Sequence, residues 1–203
     1  RRALGWVEKF VFLAVGNFRK EKDYPNLLRA FATLRPDENA ILAVAGEGAL
    51  RAALLALVNE LGIADRVQLL GLRSDVRHLM GAADAYVMSS AAEGSPIALL
   101  EAAACGLPVV VTNVGGNSDR VADGVTGALV PPGDSVALGR AMAWMRATDA
   151  SERNQMGVAG RQLISSIHDS ASVVDRWENL YAQLMETRSQ SSRKGFRWLP
   201  ASW

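Results

Sequence analysis

The apolar residues of this chain fall into two patterns. Short uninterrupted apolar runs have the length of buried strands, and the first two lie at 10–15 and 40–45. Elsewhere apolar residues recur every three or four positions, which indicates helices. Strands that alternate with helices predict an α/β fold, a parallel sheet of about six strands with helices on both faces. Further strands are expected at 67–70, 85–88, 109–111 and within 124–134, and helices at about 24–34, 50–61, 75–82, 96–105, 135–147, 151–165 and 171–188.

The segment 84–112 predicts a strand, a loop, a helix, a tight turn and a second strand. Ser95 is expected to cap the helix through its hydroxyl, and Pro96 suits the first helical position because its ring fixes a helical φ. Gly106 is expected to end the helix in a left-handed conformation, and Pro108 prevents the helix from continuing. The loop before this helix should open at the carboxyl edge of the sheet, where parallel α/β folds bind ligands.

The helix at 96–105 is apolar on every side except for Glu101, which predicts a helix that is buried all round. A buried carboxylate needs a partner, because an unpaired buried charge is strongly unfavourable. Two interpretations are open. In the first, Glu101 reaches solvent or pairs with a neighbouring arginine. In the second, Glu101 accepts hydrogen bonds from the hydroxyls of a ligand that faces the helix N-terminus. A glycosidase pair with Glu93 is disfavoured, because helical spacing separates the two by about 12 Å and such pairs need at most about 9.5 Å.

The loop at 17–23 has the outline of a phosphate site. It follows a strand, precedes a helix and contains Arg19, Lys20 and Lys22. Backbone amides and the helix start attract an anion, and cations would complete the site. The alternative is that these side chains are solvated loop charges.

A second loop begins Gly46-Glu47-Gly48 and imitates the Gly-x-Gly-x-x-Gly sequence of dinucleotide sites. Arg51 stands where the third glycine would be. An arginine cannot allow the close helix–strand packing that this glycine permits, so the case for an NAD site is weak.

Composition narrows the classes of function. The chain has 203 residues and a net charge of +1, which gives no general attraction to nucleic acid or to anionic membranes. Cys105 is the single cysteine, so a disulfide framework is excluded and a reducing compartment is favoured. In an apolar helix it is expected to be a small buried hydrophobic residue. His78 and His168 lack the spacing of metal ligands, and no apolar run approaches the roughly 20 residues of a membrane span.

Two sequences in the central segment resemble a known family. They are Glu93-Gly94-Ser95-Pro96 and the run at 101–109, which reads Glu-Ala-Ala-Ala-Cys-Gly-Leu-Pro-Val. Together they resemble the Glu-x7-Glu signature of retaining, nucleotide-sugar-dependent glycosyltransferases of family 4. The resemblance extends over about residues 9–185. It implies a GT-B enzyme with two Rossmann-like domains, of which this chain is the C-terminal, nucleotide-sugar-binding half.

The resemblance also implies which residues do the chemistry. Lys22 matches the lysine that contacts the donor diphosphate, and Glu93 matches the acid that contacts the sugar hydroxyls. These two are the expected catalytic residues. Glu101 matches the acid that holds the ribose.

The remaining donor contacts are implied by position. The family's arginine falls on Asn17, so either Arg19 substitutes for it or the diphosphate is held less tightly. Leu72 and Arg73 would lie against the nucleotide base. The expected donor-binding set also includes Gly16, Gly94, Ser95, Pro96 and Ile97.

We therefore expect residues 1–188 to form the donor-binding domain of a metal-independent hexosyltransferase of polysaccharide biosynthesis, without a cofactor. Its expected partners are a UDP-sugar or a GDP-sugar such as GDP-mannose, and an N-terminal acceptor domain that is absent from this chain; nucleic acid is not a partner. Residues 189–203 are expected to form a disordered tail.

The expected location is the cytoplasm, either free or peripheral at the inner membrane face through the absent part. Alone, the chain should bind nucleotide weakly and transfer nothing. Two alternatives stay open, a catalytically degraded relative that still binds nucleotide sugars, and an NAD-type Rossmann domain.

Overall fold

The computed structural model describes residues 1–36 and 39–193. Within these ranges an α-helix follows each of the first four strands, as the hydrophobic pattern predicts, whereas the fifth and sixth strands are joined by residues 113–126, which contain a short 3-10 helix at Gly115–Asn117. The strands are β1 (Phe10–Val15), β2 (Ala40–Ala45), β3 (Val67–Gly71), β4 (Ala85–Met88), β5 (Val109–Thr112) and β6 (Gly127–Val130). The helices are α1 (Tyr24–Ala32), α2 (Arg51–Glu60), α3 (Val76–Ala82), α4 (Ile97–Ala104), α5 (Ser135–Ala147), α6 (Ala150–His168) and α7 (Ser170–Arg193).

The strands form one parallel sheet in the order β3-β2-β1-β4-β5-β6. The chain builds outward from β1 to β3, returns to the other side of β1 with β4, and then builds outward to β6. The reversal lies between β1 and β4. Ligands of open α/β sheets bind in the crevice at such a switch point, outside the carboxyl ends of the strands.

Helices cover both faces of the sheet, which confirms the predicted Rossmann-like architecture. Alternate strand residues point to opposite faces, so Phe12 of β1 enters one core and Leu13 enters the other. The first core is closed by α1, α2 and α5, and the second by α3, α4 and the buried side chain of Trp6. Both β1 and β2 are buried on both faces, which explains why they read as continuous apolar runs.

Three local predictions around α4 are wrong. Pro96, with extended backbone, is the N-cap residue, so the helix begins one residue later than expected and Ser95 does not cap it. The helix is not buried all round, because Ile97, Glu101 and Cys105 lie on one exposed stripe. Their spacing of four residues places them on the same side of a helix. Cys105 is therefore exposed and is not a core residue.

The start of α3 and the end of α4 can be compared with their predicted caps. Asp75 is the N-cap residue of α3, so this helix begins one residue after its expected start at 75. Gly106 has φ +76°, so the predicted left-handed ending of α4 is confirmed. Residues 118–126, which lead to β6, form turns and a single bridge.

The chain divides into two compact units, Arg1–Ile164, which contains the whole sheet, and a second unit that begins at Ser165. In the second unit α7 continues to Arg193, and the rest of the expected tail lies outside the described residues. Four large apolar residues of α7 are exposed on its surface: Trp177, Leu180, Tyr181 and Leu184.

Candidate functional site

The crevice between β1 and β4 is built around an ion pair. Lys22 Nζ lies 2.5 Å from Glu93 Oε1, and the two side chains are 27% and 10% exposed. Lys22 lies in the loop after β1 and Glu93 in the loop after β4, so the pair bridges the switch point of the sheet. The two residues belong to separate sequence motifs, and the structure brings them into direct contact.

Two buried tyrosines lie close to this ion pair. The hydroxyl of Tyr24 donates a hydrogen bond to the carbonyl of Gly16 at 2.9 Å. Burial raises the pKa of Tyr24, and the negative charge of Glu93 raises it further. Burial also raises the pKa of Tyr86, with smaller contributions from Tyr24, Glu93 and Glu101. Both tyrosines are therefore neutral at physiological pH, and Tyr86 lies within electrostatic reach of both site carboxylates.

Close backbone contacts hold the loops of the crevice together. A Cβ atom on Gly115 would lie 1.8 Å from the carbonyl oxygen of Glu93, and Gly115 has φ +51°. A Cβ atom on Gly46 would lie 1.9 Å from the carbonyl oxygen of Gly16. Real Cβ contacts are much longer, so both positions need glycine if neighbouring loops are to touch.

The loop that imitates a dinucleotide site has a different role in the structure. A Cβ atom on Gly48 would lie 2.7 Å from the carbonyl oxygen of Phe18, so Gly48, like Gly46, permits contact with the loop after β1. Arg51 forms an ion pair with Glu47 at 3.0 Å on the first turn of α2. The glycine spacing is thus explained by packing between two loops and gives no support to an NAD site.

Two adjoining cavities lie beside the loop after β1. A small cavity of about 110 Å³ is lined by Gly16, Asn17, Leu72 and Arg73 and by Val76 at the start of α3. A second cavity of about 660 Å³ lies between the loop after β1 and the loop after β2. Asn17 lines both cavities, so they meet at this residue.

Arg19 lines the larger of these cavities together with Lys20 and Glu21. It is exposed, whereas the neighbouring Phe18 is fully buried and anchors the loop. Lys22 is not among the residues that line this cavity. Arg19 and Lys22 therefore lie on the same loop, but only Arg19 lines this cavity. That Arg19 takes the place of the family's arginine stays a prediction.

Leu72 and Arg73 form the tip of the loop after β3. Leu72 is 82% exposed, which leaves its side chain free to contact a planar base. Arg73 donates two hydrogen bonds to Asp75, from Nε at 2.8 Å and from Nη2 at 2.6 Å. The hydrogen bonds to Asp75 raise the pKa of Arg73, and those from Arg73 lower the pKa of Asp75. Asp75 thus neutralises and orients the Arg73 guanidinium.

Glu101 lines a cavity of about 460 Å³ between α3 and α4, and Val76 joins it to the small cavity near Asn17. The Glu101 side chain makes no hydrogen bond or salt bridge with any residue that the structure describes. The predicted pairing of Glu101 with a neighbouring arginine is therefore wrong, whereas its exposed side chain agrees with the other part of that interpretation, in which Glu101 reaches solvent. Its carboxylate is free to accept hydrogen bonds from a ligand. The other residues that line this cavity are Arg77, Met80, Gly81, Ala104, Cys105 and Arg161.

The segment 94–97 connects Glu93 to the start of α4. Gly94 and Ser95 are exposed, Pro96 is buried, and Ile97 is 66% exposed. The Ser95 hydroxyl accepts a long hydrogen bond of 3.5 Å from Nη2 of Arg120. These four residues follow Glu93 directly and lead into the N-terminal end of α4, where the first backbone amides of a helix have no intrahelical partner.

Several site residues were missed by the sequence analysis. Ser89 and Ser90 are buried at the end of β4 and make side-chain hydrogen bonds to the Lys22 loop and to Glu93. The Tyr24 hydroxyl and Arg120 were also missed. The two serines could have been predicted from the sequence, because polar residues directly after a buried strand lie at the ligand-binding edge of a parallel sheet.

The model of the family described as "Glycosyl transferases group 1" matches residues 1–163 of the chain. The chain belongs to the glycosyl transferases group 1 family. One relative of this group 1 domain is N-acetyl-alpha-D-glucosaminyl L-malate synthase from Bacillus anthracis. It is 31% identical over 175 residues, which are 86% of this chain and 46% of that protein. The chain spans about half the length of the curated relatives it matches.

Solved structures show the same fold as this group 1 domain. HepE of Anabaena in complex with UDP has a TM-score of 0.84, with 25% identity over 90% of this chain and 51% of that chain. Its complex with UDP-glucose has a TM-score of 0.81. Sucrose-phosphate synthase from Thermosynechococcus elongatus has a TM-score of 0.81, with 29% identity over 92% of this chain and 48% of that chain. The predicted glycosyltransferase domain of GT-B type is confirmed; family 4 and the retaining mechanism stay predictions.

Two further findings describe this group 1 domain. Among residues 1–36 and 39–193, no group of three or more His, Cys, Asp or Glu residues is arranged to hold a metal ion. In the same ranges, no helix combines the length and the apolar character that crossing a membrane requires. The cytoplasmic or membrane-peripheral location stays a prediction.

Proposed function

We propose that this chain is the nucleotide-sugar-binding domain of a glycosyltransferase that moves a hexose from its donor to an acceptor. The observation that carries the proposal is the Lys22–Glu93 ion pair at the switch point of the sheet. A cation and an acid side by side match a ligand with a diphosphate at one end and sugar hydroxyls at the other. The acceptor would contact a second domain outside this chain.

The cavities support an assignment of the rest of the donor. Glu101, which makes no hydrogen bond or salt bridge within residues 1–36 and 39–193, would accept hydrogen bonds from the ribose hydroxyls, and the exposed side chain of Leu72 would lie against the base. Arg73 would border the base with its guanidinium held by Asp75. Backbone groups at Gly16 and Asn17 and the Arg19 side chain would border the diphosphate.

The same arrangement supports a route for the reaction. Breaking the bond between the sugar and the diphosphate leaves negative charge on the departing diphosphate. Lys22 and the free amides at the start of α4 would stabilise that charge, because they are fixed before the reaction begins. Glu93 would hold the sugar hydroxyls while the hydroxyl oxygen of the acceptor bonds to the anomeric carbon on the face from which the diphosphate departs. The bond from that carbon to the diphosphate breaks, the departing diphosphate takes the proton of the acceptor hydroxyl, and the anomeric configuration is retained.

The preferred donor in this proposal is a UDP-sugar. HepE, the solved relative with the highest TM-score named above, was crystallised with UDP and with UDP-glucose. GDP-mannose stays the alternative donor, because the base contact at Leu72 and Arg73 has no side-chain pattern that selects a base. Binding is expected without a divalent metal ion and therefore in the presence of EDTA.

A thermal-shift panel of UDP, UDP-glucose, GDP-mannose, ADP-glucose and NAD tests the proposal on this chain. A ligand at a hundred times its dissociation constant stabilises by about 2.7 kcal/mol, which corresponds to a rise in Tm of roughly 5–10 °C for a domain of this size. Lys22→Met should abolish most of the shift. Lys9→Met removes the same charge at the opposite end of β1 and should leave the shift unchanged.

Two results of this panel would contradict the proposal. A response to NAD alone would favour a dinucleotide-binding domain. No response to any nucleotide would reject donor binding. A degraded relative, for which Asn17 in place of the family's arginine is the motivation, would bind the donor, yet a longer protein that includes the acceptor domain would not release UDP.

A further inference from the structure

Two consecutive serines, Ser89 and Ser90, lie between the last residue of β4 and the Glu93 loop. They are 1% and 0% exposed, although neither belongs to a helix or strand. A serine hydroxyl is costly to bury unless it makes a hydrogen bond. Both hydroxyls do so, and they reach different partners in the proposed donor site.

Ser90 determines how the Glu93 carboxylate is oriented. Its hydroxyl donates to Glu93 Oε1 at 2.6 Å, and Lys22 Nζ approaches the same oxygen at 2.5 Å. Oε1 therefore has two protein donors, whereas Oε2 has no protein donor among the residues that the structure describes. A carboxylate held at one oxygen presents the other oxygen in a fixed direction to a ligand.

The position of Ser90 is itself fixed by the neighbouring strand. The hydroxyl of Thr112, at the end of β5, donates to the carbonyl of Ser90 at 2.6 Å. The side-chain amide of Asn117 in turn donates to the carbonyl of Thr112 at 2.8 Å. Both residues are fully buried, so this hydrogen-bonded chain anchors the Ser90 backbone to the core.

Ser89 acts on the other member of the ion pair. Its hydroxyl lies 2.9 Å from the carbonyl oxygen of Lys22 and 3.0 Å from that of Asp23. In the same segment the Ala91 N–H donates to the carbonyl of Glu21 at 2.8 Å. Ser89 thus fixes the backbone from which the Lys22 side chain extends.

We propose that Ser89 and Ser90 are positioning residues of the donor site, one for Lys22 and one for Glu93. Ser90 holds Glu93 Oε1, so that Oε2 faces the hydroxyls of the hexose. Ser89 holds the Lys22 backbone, so that Nζ faces the diphosphate. This inference rests on the proposed function, and it assigns the two serines to different parts of the same donor.

The two serines should therefore affect binding in different ways. UDP contains the diphosphate but no hexose, so Ser90→Ala should lower the affinity for UDP-glucose about tenfold and change the affinity for UDP less than twofold. Ser89→Ala should lower both affinities by the same factor, about threefold to tenfold, and leave their ratio unchanged. A general loss of structure would also lower both affinities, so the comparison requires each variant to melt like the unmodified chain. A Ser89→Ala variant that melts normally and binds both ligands as tightly as the unmodified chain would overturn the role of Ser89.

Isothermal titration calorimetry of this chain with UDP and with UDP-glucose measures both affinities. A double-mutant cycle with Glu93→Ala shows whether Ser90 acts by positioning the Glu93 carboxylate or only by packing. If it positions the carboxylate, Ser90→Ala should have no further effect on the ratio of UDP-glucose affinity to UDP affinity once the carboxylate is removed. Melting curves of each variant check that it folds.

The outcomes separate this inference from the proposed function. If the unmodified chain binds neither UDP nor UDP-glucose, the proposed function and this inference both fail. Suppose that the unmodified chain binds both ligands, and that Ser90→Ala leaves the ratio of UDP-glucose affinity to UDP affinity unchanged or lowers this ratio equally in the Glu93→Ala background. Then only the positioning role of Ser90 is overturned. A tenfold fall in the ratio that disappears in the Glu93→Ala background supports it.

Discussion

Replacement of Glu93 by glutamine should strengthen the binding of UDP, although Glu93 is a proposed catalytic residue. In the structure the Glu93 carboxylate occupies one donor of Lys22 at 2.5 Å, and its side chain is 10% exposed. A diphosphate that approaches Lys22 must share this cation with Glu93, and it meets a like charge next to it. Glutamine keeps the size of the side chain and can still accept the hydrogen bond from Ser90, but it removes the charge.

The size of the expected gain in UDP binding follows from the free energy of a charge-assisted hydrogen bond. A hydrogen bond to a charged group contributes about 1.5–3 kcal/mol, and the diphosphate recovers part of this when Lys22 is released. We expect a gain of about 1.4 kcal/mol, which is tenfold tighter binding of UDP. UDP-glucose should gain less, because its hexose hydroxyls lose a charged acceptor and charged acceptors make roughly twice as strong a hydrogen bond.

Isothermal titration calorimetry at fixed ionic strength measures both affinities in the same series. Glu60→Gln, at an exposed carboxylate at the far end of α2 from the site loops, is a matched control that should leave UDP affinity almost unchanged. Weaker binding of UDP by Glu93→Gln would refute the view that Glu93 competes with the diphosphate for Lys22.

Three other substitutions test the fold around the site. Tyr86→Phe should raise the free energy of unfolding by about 1 kcal/mol and Tm by about 2–4 °C in a calorimetric scan, because it removes a buried hydroxyl that has no hydrogen-bond partner among the described residues. A lower Tm would show that the hydroxyl is satisfied. Gly115→Ala should destabilise the fold by several kcal/mol or prevent folding, since the added Cβ would lie 1.8 Å from the Glu93 carbonyl oxygen. Gly94→Ala is the control and should melt like the unmodified chain, because its Cβ would meet no described atom within 4 Å. Equal melting of both variants would contradict the close contact at Gly115. Asp75→Asn should lower Tm at neutral pH but not at acid pH. Arg73 holds the pKa of Asp75 below its usual value, so the stabilisation from the Arg73–Asp75 pair is present above the unfolded-state pKa and is lost as pH falls through the folded-state pKa. A difference in Tm between variant and unmodified chain that is independent of pH would contradict this prediction.

The sequence predicted the strands well, because their physical cause is local. The runs at 10–15 and 40–45 are apolar throughout and are bounded by loop residues, and the structure has strands with the same bounds. The α5 helix at Ser135–Ala147 also begins and ends as expected, since the Asp134 side chain caps its first turn. These features depend on residues that are neighbours in the chain.

The exposure of α4 could not be predicted from its composition. Alanine is found both inside proteins and on their surface, so a helix rich in alanine gives no contrast between a buried face and an exposed one. The exposed stripe through Ile97, Glu101 and Cys105 is set by which neighbouring helices cover α4. That information is not present in the helix itself.

The contact between Lys22 and Glu93 could be predicted only in part. The alternation of strands and helices places both loops at the carboxyl edge of the sheet, but it does not say which strands are adjacent. Lys22 and Glu93 meet because β4 pairs with β1, after the chain has formed β2 and β3 on the other side. Ser90 and Thr112, which fix the acid in place, depend on the same strand order.

A crystal structure of this chain with UDP tests the central claim most directly. The account predicts the diphosphate within hydrogen-bond distance of Lys22 Nζ, at the switch point between β1 and β4. It also predicts the ribose hydroxyls on the Glu101 carboxylate, which has no protein partner in the structure described here. A nucleotide bound elsewhere on the sheet edge, or a ribose that does not touch Glu101, would contradict the account.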